Sequence, residues 1–341
     1  MVLTKDANSV GVFFLPLLSN CLINPNRQTL HMLSTTPIEC PQFLLDRAKA
    51  NPKIATAVIN AGSQIALESC KLAVANELIE PVLVGDVSTI KRIAAEIDFD
   101  ISSVRLLDAQ SEAEAAAKAV SLARHAEVAA LMKGHIHTDE LLRAVINSDT
   151  GLLTGTRLSH VFHMSVPGRS ESICITDAVI NVLPDVKIKL DIARNASQLL
   201  HALGNKNPKI AVLSATEVAT PAMPSSMQAA ELVALAAELG VPGAMIDGPF
   251  AFDNAVSPQA AKLKGISSPV AGHADVLLVP NIETGNALFK QMVYYMSAAA
   301  AGIVLGAKVP IVLTSRADPA AARLAATALT SIYAAANPLA A

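Results

Sequence analysis

Four stretches of this chain place charged, amide or hydroxyl side chains beside glycine or in a tight turn, directly after an apolar run. They are Lys133-Gly134, Asp247-Gly248, Asn281–Asn286 and Ser315-Arg316. Each apolar run reads as a strand buried on both faces, and a helical pattern follows each turn. In an open α/β sheet, ligands bind at such strand ends, and helix starts offer N–H groups to anions. If the ends converge, the cleft holds lysine, arginine, hydroxyl and amide donors together with two or three carboxylates. That set suits phosphate and a polarised carbonyl, where charge developing in the transition state needs donors already in place. The same turns also occur where nothing binds, so each has a purely structural reading beside the chemical one.

Other chemistries find less support. There is no G-x-G-x-x-G after the first strand, no G-x-x-x-x-G-K-[ST], no G-x-S-x-G and no H-E-x-x-H. His135 and His137 alternate as if extended, with no carboxylate or third histidine nearby at ligand spacing, so no metal is expected. Cys21, Cys40, Cys70 and Cys174 lack any regular spacing and read as buried or free thiols of a reducing cytoplasm. Arg143 stands on a helix, where solvation or ion pairing is the ordinary role.

The elements that must position these residues follow an α/β rhythm. The 341 residues are 52% hydrophobic and 16% charged, which fits a well-packed fold of two domains. Net charge is −3 with no basic block, so neither nucleic acid nor a membrane surface is an expected partner. Strands are predicted at 54–59, 81–85, 104–107, 128–132, 159–164, 173–176, 209–214, 243–247, 275–280 and 310–313, with helices between them. The turn 281–286 is expected to precede a helix over 287–301, followed by a turn at Gly302 and Gly306. Residues 1–38 fit no such rhythm and read as an extension; Val10–Leu18 is apolar but too short to cross a bilayer.

Taken with Ser268-Pro269-Val270-Ala271-Gly272, Asp253-Asn254-Ala255 and Thr314-Ser315-Arg316-Ala317-Asp318, these motifs resemble the phosphate acetyl/butyryltransferase family. The resemblance covers about residues 40–335 and is closest to the butyryl-like branch. It implies the reversible reaction of acyl-CoA with phosphate to give acyl phosphate and CoA, with no NAD or other cofactor. It also implies a two-domain, three-layer αβα fold with mostly parallel sheets, similar to isocitrate and isopropylmalate dehydrogenases. The domains would be 39–156 plus 304–341, and 157–303. A homodimer or larger homo-oligomer in the cytoplasm is expected.

Residue by residue, Ser315 and Arg316 match the pair associated with the acyl carbonyl and phosphate, and Arg143 an arginine that binds phosphate or CoA. Lys133, Gly134, Asp247, Asn281, Gly285 and Asn286 complete the expected binding set. The acetyl branch places a thiol-deprotonating aspartate where this chain has Ala322, and Asp318 is the nearest carboxylate. Two other readings stand beside this one: a non-catalytic acyl-CoA-binding relative, and a metal- and NAD-dependent decarboxylating dehydrogenase on the same fold.

Overall fold

Short apolar runs and capped helices alternate along the first part of the computed structural model, which describes residues 33–315 and 317–339. In order these are α1 (Gln42–Lys49), β1 (Ile54–Ile59), α2 (Gln64–Ala75), β2 (Ile79–Gly85), α3 (Val87–Glu96), β3 (Arg105–Asp108), α4 (Glu112–Arg124), β4 (Ala130–Lys133) and α5 (Thr138–Val145). Three of the helices start where a side chain accepts an otherwise unpaired N–H: Ser63 from Ala66, Asp86 from Thr89, Ser111 from Glu114. Next come β5 (Ser159–Ser165), β6 (Ser172–Thr176), α6 (Val186–Ala202), β7 (Lys209–Leu213), α7 (Pro224–Leu239), β8 (Met245–Phe250), α8 (Phe252–Val256) and α9 (Pro258–Leu263). The chain ends with β9 (Val276–Leu278), α10 (Ile282–Met296), β10 (Ala299–Leu305), β11 (Ile311–Val312) and α11 (Ala320–Ala336).

The strands form one sheet in the order β3-β2-β1-β4-β11-β10-β5-β6-β9-β7-β8. Pairing is parallel within β3-β2-β1-β4-β11 and within β6-β9-β7-β8. Between them β10 is antiparallel to both β11 and β5, and β5 is antiparallel to β6. The sheet is therefore mostly parallel, but its two parallel blocks run in opposite directions. The carboxyl ends of β4 and β11 lie on one edge, whereas those of β8 and β9 lie on the other. Strand direction alone therefore does not bring all four polar segments to one edge.

Helices cover both faces. On one face a single core runs across both blocks, joining Leu67 of α2, Ile192 of α6, Leu232 of α7 and Leu329 of α11. On the other it is split. Leu141 and Val120 pack α5 and α4 onto the first block, while Ala255, Leu288 and Phe289 pack α8 and α10 onto the second. A groove opens between α5 and α10 where the core divides.

Three sequence expectations need correcting. The turn expected over 281–286 is the first turn of α10: the Asn281 side chain accepts from Thr284 N–H at 3.0 Å, so the helix begins at Ile282. That helix ends at Ser297 in a left-handed conformation, and the alanines expected to continue it form the buried strand β10. Finally, β8 does not stop at Asp247 but runs on to Phe250. Of the extension expected over 1–38, residues 1–32 lie outside the described residues. Ser34 and Thr36 are tied to the end of α10, where Ser297 Oγ donates to the Thr36 carbonyl at 2.6 Å. Among the described residues no helix is long and apolar enough to cross a membrane.

Candidate active site

Because β4 and β11 are parallel neighbours, Lys133 and the segment Leu313–Ser315 leave the sheet side by side. Gly134 turns the chain against the end of β1, its N–H donating to the Ile59 carbonyl at 2.9 Å. Two cavities meet at this edge. The first, about 480 Å³, is lined by Ser63 and Gln64 at the start of α2, with Ser69, Lys133, Ser315 and Arg323. The second, about 520 Å³, occupies the groove and takes in Lys133, Thr138, Asn286, Phe289, Ser315 and Asp318. Lys133, Thr314 and Ser315 line both.

The turn after β11 is held by its own polar groups. Ser315 N–H donates to Asp318 Oδ2 at 2.6 Å, and Asp318 N–H donates to the Ser315 carbonyl at 3.1 Å. Ala317 N–H donates to Ser315 Oγ at 3.2 Å, so the hydroxyl accepts from backbone and keeps its own proton to donate. Burial raises the Asp318 pKa above the usual carboxylate value, against the opposing pull of the Ser315 N–H and the Arg323 charge. Arg323 in turn donates through Nε to Ser69 Oγ at 2.7 Å and through its guanidinium to the Asp318 carbonyl. A cation in the early part of a helix opposes the helix dipole, so the place of Arg323 in α11 is unfavourable unless acceptors such as Ser69 and the Asp318 carbonyl meet it.

The family described as "Phosphate acetyl/butaryl transferase" matches residues 109–331, a span that contains Lys133, Asn286, Ser315, Asp318 and Arg323. The chain belongs to this family. A phosphate acetyltransferase of Rhizobium meliloti is 45% identical over 292 residues, covering 86% of this chain and 92% of the relative. A phosphate butyryltransferase of Clostridium beijerinckii is 37% identical over 294 residues, covering 86% and 97%. Among solved structures, a branched-chain phosphotransacylase from Enterococcus faecalis V583 superposes with a TM-score of 0.73 at 30% identity, over 82% of this chain and 99% of its own. Like these relatives, the protein is an acyltransferase.

Within this acyltransferase the expected site residues divide. Lys133, Gly134, Asn286, Ser315 and Asp318 come together at the two cavities. Arg316 lies outside the described residues. Arg143 is exposed, paired with Glu140, and lines a different cavity between α4 and α5 with Arg124. Asp247 accepts from the N–H of Gly248 in β8, and Gly285 is buried against Ala178. Asn281 serves as the cap of α10. Asn281→Ala is expected to cost about 1 kcal/mol in a denaturant titration with KM unchanged; a raised KM at wild-type stability would return it to the binding set.

His137 does find a carboxylate, Glu112 Oε2 at 2.9 Å, supplied by α4 from far back in the chain. Among the described residues no group of three or more histidine, cysteine or acidic side chains is arranged to hold a metal. Cys70 and Cys174 are buried and their thiols pushed up to about 12, which makes poor nucleophiles of them.

Proposed function

We propose that reversible transfer of a short acyl group between CoA and phosphate takes place where the two cavities meet. The carrying observation is that Lys133, Thr314 and Ser315 line both cavities, with the raised carboxyl of Asp318 beside them. Phosphate belongs with Lys133 and Arg323 in the first cavity, and the acyl carbonyl at Ser315. In the direction of thioester synthesis, Asp318 takes the thiol proton and the sulfur attacks the acyl phosphate carbonyl. The Ser315 hydroxyl, and by family resemblance Arg316, donate to the tetrahedral oxyanion. Collapse breaks the carbon–oxygen bond to phosphate, which leaves as the anion. CoA and phosphate enter as substrates, and no cofactor is needed.

The same reading extends to the assembly. Two domains, 39–156 plus 304–341 and 157–303, on the plan of isocitrate and isopropylmalate dehydrogenases, are supported by the opposed strand blocks and the split core. A cytoplasmic homodimer or larger homo-oligomer is part of the proposal, to be checked by sedimentation and fractionation.

The direct test is phosphate-dependent release of CoA from acetyl-, propionyl- and butyryl-CoA. Arg316→Ala is expected to lower turnover about a hundredfold or more with an unchanged circular-dichroism spectrum. Wild-type turnover in that variant would remove Arg316 from the mechanism, and CoA release that ignores phosphate would sink the reaction as a whole.

A further inference from the structure

The transferred group has two parts, a carbonyl that must meet donors and a hydrocarbon tail that must meet apolar surface. The first cavity surrounds the reacting edge with Lys133, Arg323 and hydroxyl groups. The second is also polar in part, with Lys133, Lys290 and Asp318 in its lining, but it adds the apolar surface of Ile136, Phe162, Val179, Phe289 and Leu313. Phe162 of β5 and Phe289 of α10 stack with ring centroids 4.0 Å apart and 20° between their planes. Against Phe162 also lies His160, fully buried, its ring centroid 4.3 Å away and tilted by 58°. Burial pushes the His160 pKa down to about 4, so the imidazole is neutral where the enzyme works and adds no charge beside Phe162. Phe162 thus touches both rings, is buried, and is fixed by its place in β5. Phe289 is only partly buried, on the helix that forms the far bank of the groove.

We propose that the stacked Phe162–Phe289 pair is the wall against which the acyl tail lies, and that the Phe289 ring limits its length. This rests on acyl exchange occurring at Ser315, and it adds what that reading leaves open, the residue that sets chain length. With the ring in place the groove favours the shortest acyl group, acetyl, because a longer tail running along the wall meets Phe289. Replacing the ring by a methyl group opens space next to a surface that stays apolar. Since one methylene in a hydrophobic pocket changes selectivity by about tenfold or more, the effect is readable in rates.

The experiment measures kcat/KM for acetyl-, propionyl-, butyryl- and hexanoyl-CoA with phosphate, and calorimetric affinity for the same thioesters. It compares wild type with Phe289→Ala, Phe289→Leu and Gln291→Ala, the last on the same helix but outside the cavity. Phe289→Ala is expected to raise the butyryl-to-acetyl ratio about tenfold and to bring hexanoyl-CoA into use. Phe289→Leu should move the ratio less, and Gln291→Ala should leave it at the wild-type value. If Phe289→Ala does not fold, the shift in Phe289→Leu decides. Turnover with a flat ratio in the Phe289 variants would overturn the wall while leaving acyl transfer standing. Should wild type turn over none of the thioesters, the parent reading falls. The affinity series then decides the wall alone: a rise of butyryl over acetyl affinity supports it, and equal affinities overturn it.

Discussion

Asp318→Asn is expected to lower the rate of thioester formation from acyl phosphate and CoA by about 10²- to 10⁴-fold, without lowering the melting temperature. The substitution separates two roles that share one side chain. As a turn residue, Asp318 accepts the Ser315 N–H at 2.6 Å, and an asparagine oxygen can still accept it. As a base it must take a proton from the thiol, which a neutral amide cannot do. The pH dependence follows from the direction of the shift. Burial raises the folded pKa above the unfolded one, so this group's contribution to stability is fully present below the unfolded value. It is lost as pH rises through the raised folded value. Catalysis needs the opposite, ionised form, so wild-type rate falls as pH drops through that same raised value. In Asp318→Asn the acid limb should vanish and stability should no longer decline across that window. A retained acid limb at near wild-type rate would assign the thiol proton to another group.

Much of this site is local chemistry and could be read from residue order. Lys133-Gly134 and Thr314-Ser315 each follow an apolar run with a polar turn, and parallel neighbours must bring such ends together. Asn286 is expected in a turn, and the structure places it otherwise. It reaches the groove not from a loop but from the second turn of α10, a helix that starts at its own Asn281 cap. What residue order does not carry is strand direction. Asp247 lies within β8 and lines neither cavity, and Asn281 caps α10; because β10 and β5 reverse the sheet between the two blocks, strand direction alone does not carry the ends of β8 and β9 to the edge of β4. The reversal itself was hidden by composition. Ala298–Ala301 has the highest helix propensity available, and only burial between β11 and β5 makes Ala299–Leu305 a strand. Arg323 escaped because its partners, Ser69 and Asp318, belong to different elements, so no spacing announces them.

Gly134→Ala is expected to destabilise the protein by about 1–3 kcal/mol or more and to abolish acyl transfer even where the variant remains folded. The reason is space, not backbone conformation. A Cβ on residue 134 would stand 2.3 Å from the Ile59 carbonyl oxygen and 2.8 Å from that of Asn60. Both atoms are backbone at the end of a central strand, so no rotamer change relieves the overlap. The same carbonyls accept the N–H groups of Gly134 and His135, each at 2.9 Å, and any retreat of residue 134 breaks them. Lys133 is the preceding residue and lines both cavities, so a shift of the turn carries the ammonium away from the edge where the substrates meet. The two effects are distinguished by comparing Gly134→Ala with Gly155→Ala, whose Cβ meets nothing but whose positive φ of 88° costs stability without touching the site. At matched fraction folded, measured by denaturant titration, Gly155→Ala should keep wild-type turnover and Gly134→Ala should not. Equal turnover in the two would show that Lys133 need not be held where the close approach of β4 to β1 puts it.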